Sequence, residues 1–350
     1  MTFEQTEQTP KSVIVWLVVM IAMVFAMVVI GGVTRLTQSG LSMVDWRPIM
    51  GIVPPMSAAE WEAVFSAYKA YPEYKALNYG MNLDDFKAIF LMEYAHRVWG
   101  RLIGIVFILP YLWFMIRGSV RGGLALKLGG LLALGAAQGL MGWVMVKSGL
   151  VDDPSVSPYR LAAHLVLAVV LAAILLWMVL NRVSAPEPVS GTARRRLTGA
   201  LHMALSLAAV TLLSGAFVAG LDAGMTFNTF PLMDGRLIPE GLLALAPVWR
   251  NPFENVAMVQ FDHRVLGILT MLAVLWFWLR SQGAALGPRT RLAVNLAALM
   301  ALVQPSLGIA TLLLVVPVSL AAIHQAGALM LLGLLIWVLH ELRHPRDRLD

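Results

Sequence analysis

Four histidines stand inside apolar segments of a chain that has no cysteine. His96 and His263 open matched strings, "HRVWG" and "HRVLG", and His164 and His324 follow later in the same order. Ionisable residues within a membrane span are costly and usually face the bundle interior for a reason. One such histidine is as well explained by a structural hydrogen bond as by function. Four in two equivalent pairs point to ligation. The other three, His202, His340 and His344, fall at the ends of apolar runs or in the tail and read as interfacial or solvated.

Without cysteine, thiolate-bound metal and Fe–S clusters are excluded. Imidazole suits zinc, copper, iron and nickel. Zinc generally takes three or four protein ligands in one cluster. Two histidines on facing helices suit the axial positions of a haem, and bundle interiors build cofactor sites in this way. Arg97 follows His96, Arg264 follows His263, and Arg101 lies about a turn further on. Guanidiniums near the interface can pair with haem propionates; snorkelling to lipid headgroups is the alternative. Gly100, Gly104 and Gly267 fit close approach of a flat macrocycle or of another helix.

The two strings differ at one informative position. Glu93 stands three residues before His96, where Gln260 stands before His263. Positions i and i+3 share a helix face, so Glu93 is expected to reach the cavity of His96. A carboxylate there can take protons, stabilise positive charge or orient water. It can also simply partner Arg97 or Arg101.

These residues need helices to carry them. The chain is 59% hydrophobic and 13% charged, a balance that a polytopic membrane protein requires and a soluble domain rarely tolerates. Runs of roughly 20 apolar residues, each about long enough to cross the hydrocarbon core, recur. Eight spans are expected near 13–35, 89–117, 124–147, 159–180, 197–221, 257–280, 289–314 and 320–341. The N-terminal run is span-length and follows Glu4 and Glu7 in place of a basic region, so it reads as a span and not as a cleaved leader. Arg117, Arg121, Lys127, Arg182, Arg194 to Arg196, Arg280, Arg289, Arg291 and Arg343 crowd one side. The positive-inside rule then puts both termini in the cytoplasm and all four span histidines near the outer face. The net charge of +6 is explained by that distribution, and nucleic acid is not an expected partner.

In the long outer loop, Trp61, Val64, Phe65 and Tyr68 have helical spacing. They predict an amphipathic helix, either on the membrane surface or capping the bundle. The halves also align in order. Gly31, Gly40 and Gly51 fall on Gly215, Gly224 and Gly235; Gln138 and Gly142 fall on Gln304 and Gly308; His164 falls on His324. Each half contains four spans, so both enter from the same side. The expected fold is all-α, two tandem pseudo-symmetric four-helix bundles. Residues 1–185 form an N-terminal half with outer loop 36–88, and residues 186–350 form a C-terminal half.

The strings "GGVTRLTQSGLSMVDWRP", "EYAHRVWGR" and "FDHRVLG", with His164 and His324, resemble the haem A synthase family over nearly the whole chain. The absence of loop cysteines resembles its proteobacterial and mitochondrial branch. The resemblance implies oxidation of the C8 methyl of haem O to a formyl group, giving haem A for terminal oxidases. It implies substrate haem O at His96 and His164 of the N-terminal half. It implies a permanent haem b at His263 and His324, and a catalytic Glu93. Haem O synthase, terminal oxidase assembly factors, an electron-transfer partner and the lipid bilayer are the partners it suggests, with a bacterial inner membrane location. A di-haem b electron carrier or quinol dehydrogenase is the alternative; a haem transporter is a third.

Overall fold

A computed structural model describes residues 9–44, 53–149 and 156–343. Gly51, Trp46, His344, Arg346 and Arg348 lie outside the described residues. Among the described residues, eight helices are long and apolar enough to cross a membrane. They are α1 (Lys11–Leu36), α4 (Leu83–Ile116), α5 (Gly122–Gly149), α6 (Pro158–Val183), α7 (Gly191–Gly220), α9 (Val256–Gln282), α10 (Pro288–Leu313) and α11 (Val318–Leu342). Three short helices complete the set: α2 (Ala58–Lys69), α3 (Pro72–Ala76) and α8 (Asn251–Glu254).

Two spans begin earlier than apolarity alone predicts, and local capping explains both. The Asn82 side chain accepts from the backbone N–H groups of Asp84 and Asp85, which starts α4 ahead of its apolar run. Ser190 accepts from Ala193 N–H and draws Arg194 to Arg196 into α7.

Within the first four spans, α1 packs on α4 and α6, and α5 packs on α4 and α6. Within the last four, α7 packs on α9 and α11, and α10 packs on α9 and α11. Between the two sets, α1 meets α11 as α7 meets α6, and α6 meets α11. Separate apolar cores fill each set. Trp16, Leu17, Met20, Phe107, Leu128 and Leu175 fill the first; Leu201, Val274, Phe277, Val294 and Leu335 fill the second. Trp16 and Trp99 donate indole N–H groups to the carbonyls of Val106 and Met23, tying α1 to α4. Gln325 donates to Val28 O at 3.0 Å, and Arg35 pairs with Asp222 at 2.9 Å, so polar bonds cross between the sets.

The amphipathic segment of the outer loop forms α2. It starts at a capping box, in which Ser57 accepts from Glu60 N–H and Glu60 accepts from Ser57 N–H. Its apolar face caps the bundle: Phe65 stacks on Phe86 at 4.9 Å, and Tyr68 is buried against the same ring. Of the two readings of this helix, the cap is the one realised.

The cap contains a buried acid. Glu73 is 4% exposed and accepts a hydrogen bond from Tyr68 Oη at 2.9 Å, while Asn78 Nδ2 donates to the same hydroxyl at 2.7 Å. Burial pushes the Glu73 carboxyl up to about 7; the Tyr68 bond opposes that rise and the charge of Glu93 adds to it. Burial also raises the Tyr68 hydroxyl. A carboxyl with a raised folded-state pKa binds its proton more tightly in the folded cap than in the unfolded chain. The cap therefore loses stability as pH rises from about 4.5 through about 7, then levels off. The loss is on the order of 3 kcal/mol. Hydrogen-exchange protection across residues 61–90, corrected for the base-catalysed intrinsic rate, should fall over that pH window. Glu73→Gln should flatten the dependence, and an unchanged profile in that variant would contradict the assignment.

Candidate functional site: paired histidines and their clasps

Each of the four span histidines lies against a glycine of a neighbouring helix. A Cβ added to Gly31 of α1 would sit 3.6 Å from His96 Nε2 on α4. One added to Gly142 of α5 would sit 3.2 Å from the His164 ring on α6. In the second set, Gly215 of α7 would meet the His263 ring on α9 at 3.1 Å, and Gly308 of α10 the His324 ring on α11 at 2.8 Å. Glycine at these places lets an imidazole lie directly on a helix backbone. The glycines singled out earlier behave differently: Gly104 and Gly267 face open space, and Gly100 meets only the methyl of Met27 at 3.4 Å.

Polar neighbours fix the rings. Ser214 Oγ lies 2.8 Å from His263 Nδ1. The Gln304 amide lies 3.1 Å from His324 Nδ1 and donates to His324 O at 2.6 Å. Gln138 holds His164 alike, donating to its carbonyl at 3.1 Å and lying 3.2 Å from Nε2. Oε1 of each glutamine is buried without a partner. Each amide thus holds both the backbone carbonyl and one ring edge of its histidine. The two glutamines were visible in the sequence; Ser214 carried no repeat signal, because Gly31's neighbour at the matching place is Ile30.

The ring geometry tests what could bind. His263 and His324 have ring centres 6.3 Å apart and planes at 90°. Two imidazoles on opposite sides of one metal, each bonded at about 2 Å, put their ring centres about 6 Å apart. Among the described residues, no group of three His, Cys, Asp or Glu side chains converges on a possible metal position. The His263–His324 donor set is thus two imidazoles at the separation a haem iron requires, which fits a haem and not a three- or four-ligand zinc centre.

Glu93 and Arg97 form a clasp beside the first pair. Glu93 is 2% exposed. It accepts from Ser42 Oγ and Met43 N–H, each at 2.7 Å, and from Arg97 at 2.5 Å. Arg97 also donates to Met43 O at 2.9 Å. Gln260 and Arg264 make the counterpart. Arg264 donates to Gln260 Oε1 at 3.0 Å and to the carbonyls of Phe227 and Thr229. Gln260 donates to Ala223 O at 2.7 Å. Each clasp fastens the segment after the first helix of its set, residues 39–43 or 223–232. The acid–amide difference has a local cause. The first segment offers Glu93 only donors, which suit a carboxylate; the second offers Gln260 carbonyls, which require an N–H. The ion-pair reading of Glu93 is therefore realised, and Arg97 and Arg264 hold backbone carbonyls. Arg101, one turn further along α4, is half-buried.

His340 departs from its expected interfacial setting. It is fully buried, edge-on to Trp177 at 5.5 Å. His202 is exposed, as expected.

Eight spans, two pairs of glycine-backed histidines and a clasp beside each pair define a multi-pass helical membrane protein with paired-imidazole centres. The chain matches the family COX15-CtaA, cytochrome oxidase assembly protein, over residues 14–336. It is 49% identical to Heme A synthase of Nitrosospira multiformis, covering 98% of this chain and 99% of that one. It is 48% identical to Heme A synthase COX15 of Arabidopsis thaliana (98% and 77%) and 47% identical to that of Homo sapiens (94% and 82%). The chain belongs to the COX15-CtaA, haem A synthase, family.

Proposed function

We propose that the chain makes haem A by oxidising the C8 methyl of haem O to a formyl group, as a membrane oxidoreductase. Two hydroxylations would each take an oxygen from water and release two electrons and two protons, giving an alcohol and then a geminal diol that loses water. The observation that carries the reading is the pair of equivalent histidine centres with an acid beside only one of them, in a chain nearly half identical to proteins named Heme A synthase. Residues 1–185 then form the chemical half. His96 and His164 hold the substrate haem, Glu93 stabilises charge or accepts a proton at the reacting edge, and Arg97 and Arg101 lie toward its propionate side. Residues 186–350 form the electron-transfer half, where His263 and His324 hold a permanent haem b beside Arg264. That haem supplies one-electron redox chemistry, and the electrons leave to an acceptor outside the chain.

The location proposed with this reading is a bacterial inner membrane, with cytoplasmic termini and outward-facing haem sites. Haem O synthase and oxidase assembly factors would supply substrate and take product. The likeness of the two clasps favours a second reading, a di-haem b electron carrier, because it makes the halves chemically similar. Co-expression with a haem O source, followed by chromatography of the extracted haems, separates the two. Haem A together with haem b is expected. Two haem b per chain and no haem A would support the carrier.

A further inference from the structure

A cleft of about 600 Å³ opens between α6, α7 and α11, at the end of the bundle opposite the histidine pairs. Arg194, Arg195 and His202 line it from the start of α7, Arg343 from the end of α11 and Trp177 from α6. The Arg343 guanidinium lies 5.5 Å over the Trp177 ring. Among the described residues, no carboxylate lines the cleft. The nearest acid along α11, Glu341, is fully buried and turned away, accepting from Glu187 N–H at 3.1 Å and from the Trp337 indole at 3.2 Å. Gly199 opens the wall, since a Cβ there meets nothing within 4 Å. The cations line one concave space together with a tryptophan, a residue enriched at membrane interfaces.

We infer that this cleft binds the phosphodiester headgroup of an anionic phospholipid from the membrane leaflet on that side. Guanidiniums suit a phosphodiester because they pair with its oxygens through two parallel N–H bonds. Basic pockets between transmembrane helices at this level recognise such headgroups. The inference does not depend on the haem chemistry.

The test uses the full chain, delipidated in non-ionic detergent and returned to phosphatidylcholine bilayers with or without phosphatidylglycerol. Bound phosphatidylglycerol per chain is counted by native mass spectrometry. Arg194→Gln and Arg195→Gln should each lower its affinity about fivefold. Gly199→Leu, which fills the cleft and removes no charge, should lower it as well. Arg121→Gln with Lys127→Gln removes twice the charge of either cleft variant from the same end, outside the cleft, and should leave the affinity unchanged. Circular dichroism and haem content confirm that each variant is folded. Equal losses in the outside pair, or none in the cleft variants, would overturn the inference. So would inorganic phosphate displacing the lipid at millimolar concentration, which would make the cleft a free-anion site.

Discussion

Glu93→Gln is expected to stop haem A formation while leaving the protein folded. The amide keeps the volume of the acid, and Arg97 keeps its bond to Met43 O. What is lost is a carboxylate that three donors now satisfy. One of those donors would face the new NH₂ group, at a cost of about 1–3 kcal/mol to the clasp. If the carboxylate also handles charge at the reacting methyl, conversion should fall about 100-fold or more. Haem O should then accumulate on the purified protein with haem b content unchanged. Conversion within a few-fold of the parent would restrict Glu93 to fastening residues 39–43. Gln260→Glu is the informative companion. It places an acceptor against the carbonyls of Ala223 and Phe227 and should destabilise the second clasp without creating activity there.

Gly308→Val should remove the haem b proposed at His263 and His324. Even a single Cβ at Gly308 stands 2.8 Å from His324 Cε1, and valine adds two methyl groups to it. The ring must swing away from its partner, and a bis-imidazole centre with one ligand displaced loses its low-spin spectrum. Loss of most of the haem b absorbance per chain is expected, with helix content unchanged. Gly267→Val is the matched control, because its Cβ meets nothing within 4 Å. Equal haem loss in the control would show that the effect is a general one on the membrane helices.

The spans, the histidine pairs and the order of matched residues were legible in the sequence because each has a period or a repeat. Apolar length marks a helix, and four histidines in two equivalent places mark two sites. The ends of α4 and α7 were less legible, since capping by Asn82 and Ser190 extends them through polar residues that hydropathy discounts. The contacts of Glu93 were left open for a different reason. Helical spacing says that 93 shares a face with both 96 and 97, but it does not say which partner a loop will bring. Ser42 and Met43 decide that, and they are fifty residues away in the chain. The glycines behind the rings were visible as aligned residues, yet their use was hidden until the facing imidazoles were in place. Ser214, on His263, has no counterpart in the other half and left no pattern to find.

The division of labour between the halves is tested most directly by counting haem b in two single variants purified from cells that make no haem O. His96→Ala should retain about as much haem b per chain as the parent, and His263→Ala should hold almost none. The reverse pattern, or equal loss in both, would contradict the assignment of a permanent haem to the second half and a substrate haem to the first.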